Sequence, residues 1–326
     1  MECRAKLQPC KNGICNPEGL PYNSGYMLKY LDYIFVLRPV LMVPVWTILL
    51  LGYHQGSRYG SSGRSFFWLF IFSTLFIGGV YLLNQIYDQE TDRKNKKLFF
   101  LSEGHISKKA AWTYTALLYL LSVVPSYFLS FTIGIIFTLG LILSFLYSAP
   151  PFSLKNKTYY GLLANAIAHG SLVFIAGFCI RSDFSIRSVL LSLPYALAVG
   201  AVYISTTLPD IEGDKSTGKM TFGAKYGILI STLISALMVL LSIILVVIFL
   251  DLPFLFSAIF SLPFYIFALV TREVGKSILA TRSSILFLSI AAGYFYPWYF
   301  IILILGFLGT RLYYKERFNL KYPGFF

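Results

Sequence analysis

Hydrophobic residues in this chain come in long unbroken blocks separated by short polar stretches. Apolar runs cover approximately residues 30–51, 66–87, 109–129, 131–147, 158–180, 188–208, 226–250, 253–271 and 283–314. Several approach or exceed the roughly 20 residues that a helix needs to cross the hydrocarbon core of a bilayer. The pattern predicts an all-α, polytopic membrane bundle of about nine transmembrane helices. The last run is too long for one straight span, and Pro297 in its middle predicts a kink or break there. Residues 1–29 read as a polar leader, flexible by composition. Residues 30–315 read as a single transmembrane domain, and 316–326 as a short tail. The leader lacks the early apolar stretch and cleavage site of a secretory signal.

Composition strengthens this picture. The chain is 57% hydrophobic and 13% charged, with a mean hydropathy of +0.70. The charged share is about half that of a soluble domain. Net charge is +13. On a soluble protein that balance would suggest a nucleic-acid partner. Here the basic residues sit in loops, where they set orientation and attract anionic lipid, so no nucleic-acid partner is expected.

Counting Lys and Arg by side, with nine spans, gives 18 on the side of the N-terminus and 8 on the other. The excess marks the N-terminal side as cytoplasmic. Arg311, Lys315, Arg317 and Lys321 in the tail fall on the poorer side in this count. A tenth short span would change the bias to 22 against 4. Cys3, Cys10 and Cys15 lie in the leader, at a spacing that matches no zinc signature, and Cys179 lies in an apolar run. They read as free thiols.

Candidate chemistry enters with an internal repeat. Residues 78–93 (GGVYLLNQIYDQETDR) align with 200–215 (GAVYISTTLPDIEGDK) at an offset of 122. Gly78, Val80, Tyr81, Asp88, Glu90 and Asp92 fall on Gly200, Val202, Tyr203, Asp210, Glu212 and Asp214. Each copy ends an apolar run with Asp-x-x-x-Asp. Carboxylates at the end of a membrane helix are costly, so their recurrence in register points to function. Asn84, Asp88 and Asp92 are spaced i, i+4, i+8 and share one helical face. Thr206, Asp210 and Asp214 take the equivalent places, with Pro209 placed to end or kink that helix.

Two facing sets of hard oxygen ligands suit Mg²⁺, an ion commonly held by a few carboxylates together with substrate phosphates. Arg93, Lys94, Lys97, Lys215 and Lys219 could balance phosphate charge. So could Arg38, a cation inside the first apolar run that needs an anionic partner. Tyr147 and Lys155 flank Tyr-Ser-Ala-Pro-Pro, whose prolines force an extended exit from the fourth run toward the same place. Asn165 and His169, spaced i, i+4 inside the fifth run, must face the bundle, either bonding between helices or touching a substrate. A cation transporter reading expects acids near mid-membrane. These acids lie at helix ends beside many Lys and Arg, which suits an anionic ligand.

The motifs together resemble the UbiA superfamily of membrane-embedded prenyltransferases. Its N-D-x-x-D-x-x-x-D is similar to residues 84–92 and its D-x-x-x-D to 210–214. Tyr147-Ser-Ala-Pro-Pro151, Leu37-Arg38-Pro39, Gly218 and Lys225-Tyr226-Gly227 resemble further landmarks. Gln85 stands where that family usually has Asp, and Lys97-Leu98 stands where it has Arg-Pro. The resemblance implies a nine-helix bundle around a central cavity, with a polyprenyl diphosphate donor and Mg²⁺. It implies metal ligation by Asp88, Asp92, Asp210 and Asp214, with Asn84 assisting. It also implies a diphosphate grip by Arg38, Arg93, Lys155 and Lys215. The expected reaction moves a polyprenyl group to a small acceptor, with an aromatic or quinone precursor favoured. A glycerol-lipid or tetrapyrrole acceptor, or a catalytically silent member, are the alternatives.

Overall fold

The computed structural model describes residues 9–10, 13–14, 25–94 and 99–324. Besides a two-residue antiparallel pairing of Pro9–Cys10 with Gly13–Ile14, the described chain is helical. The helices are α1 (Gly25–Phe35), α2 (Val43–Gly56), α3 (Phe66–Lys94), α4 (Phe99–Ser102), α5 (Lys108–Leu129), α6 (Phe131–Ser148) and α7 (Thr158–Asn165). They continue with α8 (Val173–Cys179), α9 (Ile186–Thr206), α10 (Ile211–Ser216), α11 (Phe222–Phe249), α12 (Leu252–Thr271), α13 (Val274–Phe295) and α14 (Trp298–Phe318). Among the described residues, nine helical stretches have the length and apolar character to cross a membrane.

Four of the stretches are interrupted. Helix α11 kinks at Gly227, whose φ of 70° glycine alone adopts readily, and three others change course between helices. Between α1 and α2, Arg38 adopts a left-handed φ of 59° ahead of Pro39, because a residue before proline is pushed out of the right-handed helix. Between α7 and α8, residues 166–172 form a π-helical turn that carries His169. After α9, Pro209 imposes a 3₁₀ turn over Leu208–Asp210 before α10 resumes. Close packing of α2 on α8 relies on small residues. A Cβ on Gly52 would lie 2.2 Å from the Phe174 carbonyl oxygen, and one on Gly177 would lie 2.2 Å from that of Leu49. Small residues let backbones approach closely where lipid supplies no hydrophobic drive between helices.

The final apolar run differs from expectation. Its ninth span begins at Val274 rather than near 283, so Lys276 and Arg282 belong to a helix. The run then breaks at Pro297, and α14 folds back along the bundle. At its start the Tyr299 hydroxyl meets Thr47 (2.7 Å) and donates to the Val43 carbonyl. At its end Tyr313 donates to Asp32 (2.5 Å), and Arg317 reaches both Asp32 oxygens at 3.1 and 3.2 Å. Phe318 packs on Phe100 and His105. The tail therefore returns to the end of the bundle that holds α1 and α4.

At the opposite end, Asp251 caps α12 by accepting from the Phe254 N–H and also accepts from the Tyr195 hydroxyl at 2.8 Å. Cys179 is buried and free. The Cys3, Cys10, Cys15 and Lys94 side chains and the Lys97-Leu98 departure lie outside the described residues.

Candidate active site

Helix α3 runs unbroken for 29 residues, so Asn84, Asp88 and Asp92 do lie on one helical face. The second acidic pair is arranged differently. Thr206 closes α9, Asp210 sits in the 3₁₀ turn, and Asp214 lies in α10. The helix is interrupted at Pro209, as that proline predicts, so Thr206, Asp210 and Asp214 do not form one stripe. Asp214 is buried and accepts from the Thr221 hydroxyl at 2.7 Å. Helix α10 packs against α3, so both acidic pairs occupy one end of the bundle.

Two loops complete this mouth because they are laced together. Asn156 accepts from the Met220 N–H at 3.0 Å, and the Thr158 hydroxyl donates to the Met220 carbonyl at 2.6 Å. Lys157 and Met220 form a parallel bridge. The lacing brings Lys155 and Lys219, 64 residues apart in sequence, to the same carboxylate. Lys155 Nζ lies 2.8 Å from Asp88 Oδ2, and Lys219 Nζ lies 2.8 Å from Asp88 Oδ1. Lys155 also donates to Asn84 Oδ1 at 2.8 Å, to which the Ser148 hydroxyl donates weakly at 3.4 Å. Burial pulls the Lys155 ammonium below the ordinary lysine value, against the opposing pull of Asp88.

Beneath the mouth lies a cavity of about 480 Å³. Its upper wall carries Arg38, Tyr81, Asn84, Tyr147, Asn165 and Tyr203, and its deeper wall is mostly aliphatic and aromatic. The Tyr147 hydroxyl lies beside Asn165 and Tyr203, near enough to Asp88 and Asp214 to feel their charge. His169 lines the cavity, and its Nδ1 is buried without a hydrogen-bond partner. Arg38 Nε is likewise buried and unpartnered. No Asp or Glu lines the cavity among the described residues. The acids crown it instead.

Not every expected residue converges here. Arg93 is exposed and donates to the Ser102 carbonyl at 2.8 Å, and Lys215 is exposed on α10. Gln85 points away from the mouth. It is buried, and its Nε2 donates to the carbonyls of Val36 (2.8 Å) and Tyr81 (3.1 Å), tying α3 to the segment ahead of Arg38. Ser148, Thr221 and Tyr203 escaped the sequence reading. Tyr203 carried a signal in its identity with Tyr81 across the repeat. Ser148 carried one in its place within Tyr-Ser-Ala-Pro-Pro, and Thr221 carried none.

The fit of a divalent cation can be judged from these donors. Among the described residues, no group of three or more His, Cys, Asp or Glu is assembled as a metal cage. The mouth instead offers separate carboxylates and an amide oxygen beside two ammonium groups. That set fits Mg²⁺ bridged to a phosphate ligand, since Mg²⁺ takes one or two carboxylates and completes its shell with phosphate and water.

A family model for UbiA prenyltransferases matches residues 41–278. The chain belongs to the UbiA prenyltransferase family. By that membership it is an integral-membrane prenyltransferase. A bacteriochlorophyll synthase 34 kDa chain from Chloroflexus aurantiacus is 23% identical over 66% of this chain and 71% of its own length. A solved structure concerned with digeranylgeranylglyceryl phosphate synthase superposes with a TM-score of 0.60 at 21% identity, covering 86% of this chain and 98% of that one. A UbiA homologue from Archaeoglobus fulgidus, solved with GPP and Mg²⁺, superposes with a TM-score of 0.56 at 19% identity, covering 88% and 98%. These likenesses share the UbiA fold seen here, with its helical bundle.

Proposed function

We propose that this UbiA-family protein transfers a polyprenyl group from a polyprenyl diphosphate to a small acceptor, with an aromatic or quinone precursor favoured. The observation that carries the reading is the stacking of a charged mouth on an apolar cavity. Asp88, Lys155 and Lys219 meet within 2.8 Å contacts above a cavity that no described carboxylate lines. An amphiphilic anion fits that arrangement, with its diphosphate at the mouth and its hydrocarbon chain below. A transported cation would need acids inside the cavity.

In this reading Asp88, Asp92, Asp210 and Asp214 hold Mg²⁺ with the diphosphate, and Asn84 assists. The A. fulgidus homologue bound to GPP and Mg²⁺ supports that choice of donor and metal. The metal neutralises charge on the leaving diphosphate. Lys155, Lys219 and Arg38 hold the remaining phosphate charge, fixed cations aimed where charge grows as the allylic C–O bond breaks. The apolar cavity keeps water from the electron-poor carbon. Tyr147, Asn165, Tyr203 and His169 offer hydrogen bonds to a phenolic acceptor. Arg93 and Lys215 lie at the edge of the mouth and act on diphosphate at longer range. The basic excess on the mouth side supports a cytoplasmic mouth and N-terminus.

The test uses purified protein, Mg²⁺, labelled geranylgeranyl diphosphate and a panel of phenolic, glycerol-phosphate and tetrapyrrole acceptors. Diphosphate release is expected to fall at least a hundredfold in Asp88→Ala and in Asp210→Ala. Full activity in both variants would sink the reading.

A further inference from the structure

Both carboxylate oxygens of Asp88 are engaged, each by a different lysine. Lys155 holds Oδ2 and Lys219 holds Oδ1, each at 2.8 Å, and both side chains are largely shielded from solvent. Lys155 further occupies Asn84 Oδ1, the neighbouring donor on the same face of α3. A divalent cation coordinated by Asp88 must take at least one of these oxygens at about 2.1 Å. It would then stand within a few ångströms of two ammonium groups, in a site too buried for water to screen the repulsion. The backbones that carry the lysines are held at the mouth, so both ammonium groups stay within reach of Asp88. The loop of Lys155 is anchored by the bridge between residues 157 and 220, and the Lys219 backbone N–H donates to the Asp214 carbonyl at 2.8 Å.

A diphosphate resolves the conflict. It gives each ammonium a new anionic partner close to the old one and supplies the cation with further oxygens.

We propose that Lys155 and Lys219 act as internal counter-ions of Asp88. They make the site refuse a divalent cation alone and accept it together with diphosphate. This rests on the reading above that the mouth binds a metal–diphosphate pair. The lysines are thus coupling residues as well as anion ligands. They set a positive, reciprocal linkage between metal and diphosphate affinity. The linkage keeps the site from being filled by metal when no donor is present.

The experiment is equilibrium dialysis of the full chain in lipid nanodiscs against radiolabelled Mn²⁺, with and without inorganic diphosphate. Protein-free discs with diphosphate give the metal held in solution. For the natural chain, diphosphate is expected to tighten retained Mn²⁺ at least tenfold. Labelled diphosphate should be tightened by Mn²⁺ by the same factor. In Lys155→Met/Lys219→Met, Mn²⁺ alone is expected to bind at least tenfold more tightly than in the natural chain, with the linkage reduced to within about twofold of none. Lys155→Arg/Lys219→Arg keeps both charges and should keep the linkage, which separates charge from fold. Melting curves of each variant confirm folding.

Equal Mn²⁺ affinity with and without diphosphate, lost in Asp88→Asn, would overturn the counter-ion role while leaving the metal reading intact. Mn²⁺ binding unaffected by Asp88→Asn would remove the metal reading itself, and the counter-ion role with it.

Discussion

Gln85 shows how one side chain can leave a motif and still serve the fold. A carboxylate at this position would sit about 100° around α3 from Asn84. The amide instead donates to the buried Val36 carbonyl, one of the orphan acceptors where α1 ends before Arg38. Replacing Gln85 by Leu leaves that carbonyl without this donor, at a cost of about 1–3 kcal/mol. The variant should melt a few degrees lower in detergent, with diphosphate release per folded molecule retained. A collapse of activity at unchanged stability would place Gln85 in the chemistry instead. Lys155 makes a second prediction at this scale. Its ammonium is lowered by burial, so it loses its proton at a lower pH than a free lysine. The charge that grips Asp88 and phosphate persists only on the acid side of that value. Affinity for labelled diphosphate should therefore fall along an alkaline limb that lies to the acid side of a free lysine's. Lys155→Arg should move the limb upward, since guanidinium stays charged. An identical limb in both proteins would assign it to another group.

At the scale of elements, the breaks matter as much as the helices. The unbroken α3 presents its acids as a stripe, whereas Pro209 divides the equivalent stretch and turns Asp214 inward to Thr221. The repeat is therefore symmetric in sequence and asymmetric in use. Helix α14 is held at its far end by the buried Asp32, met by Tyr313 and Arg317. Arg317 keeps some solvent contact, so removing its partner should cost less than a fully buried pair, about 1–3 kcal/mol. Asp32→Ala is expected to free the end of α14. Limited proteolysis should then cut faster at Arg311, Lys315 and Arg317. An unchanged cleavage rate would mean that aromatic packing on Phe35 and Phe100 alone holds the helix.

For the whole molecule, the return of α14 resolves the imbalance of charge. The tail's four basic residues join the end that holds α1, α4 and the acidic mouth. Counted with that end, the basic residues divide 22 against 4. Single cysteines introduced at residues 104 and 320, in a background with Cys3, Cys10, Cys15 and Cys179 replaced, should be labelled from the same side of the membrane. A cysteine at residue 61 should be labelled from the other side. Labelling of 104 and 320 from opposite sides would contradict this packing.

The sequence alone determined the class of the molecule and the register of its acids. Unbroken apolar blocks of this length specify helices in lipid, because backbone groups there must be satisfied internally and a barrel strand would alternate apolar with polar residues. The i, i+4 spacing of Asn84 and Asp88 follows from helix geometry and needs no partner. The division of the last run was less legible. Lys276 and Arg282 dilute the start of α13 below the apolar pattern, and a proline marks a break without giving the direction taken after it. The pairing of Lys155 and Lys219 on Asp88 was decided by tertiary structure. It depends on two loops lacing together across 64 residues of chain, and no local periodicity encodes such a contact.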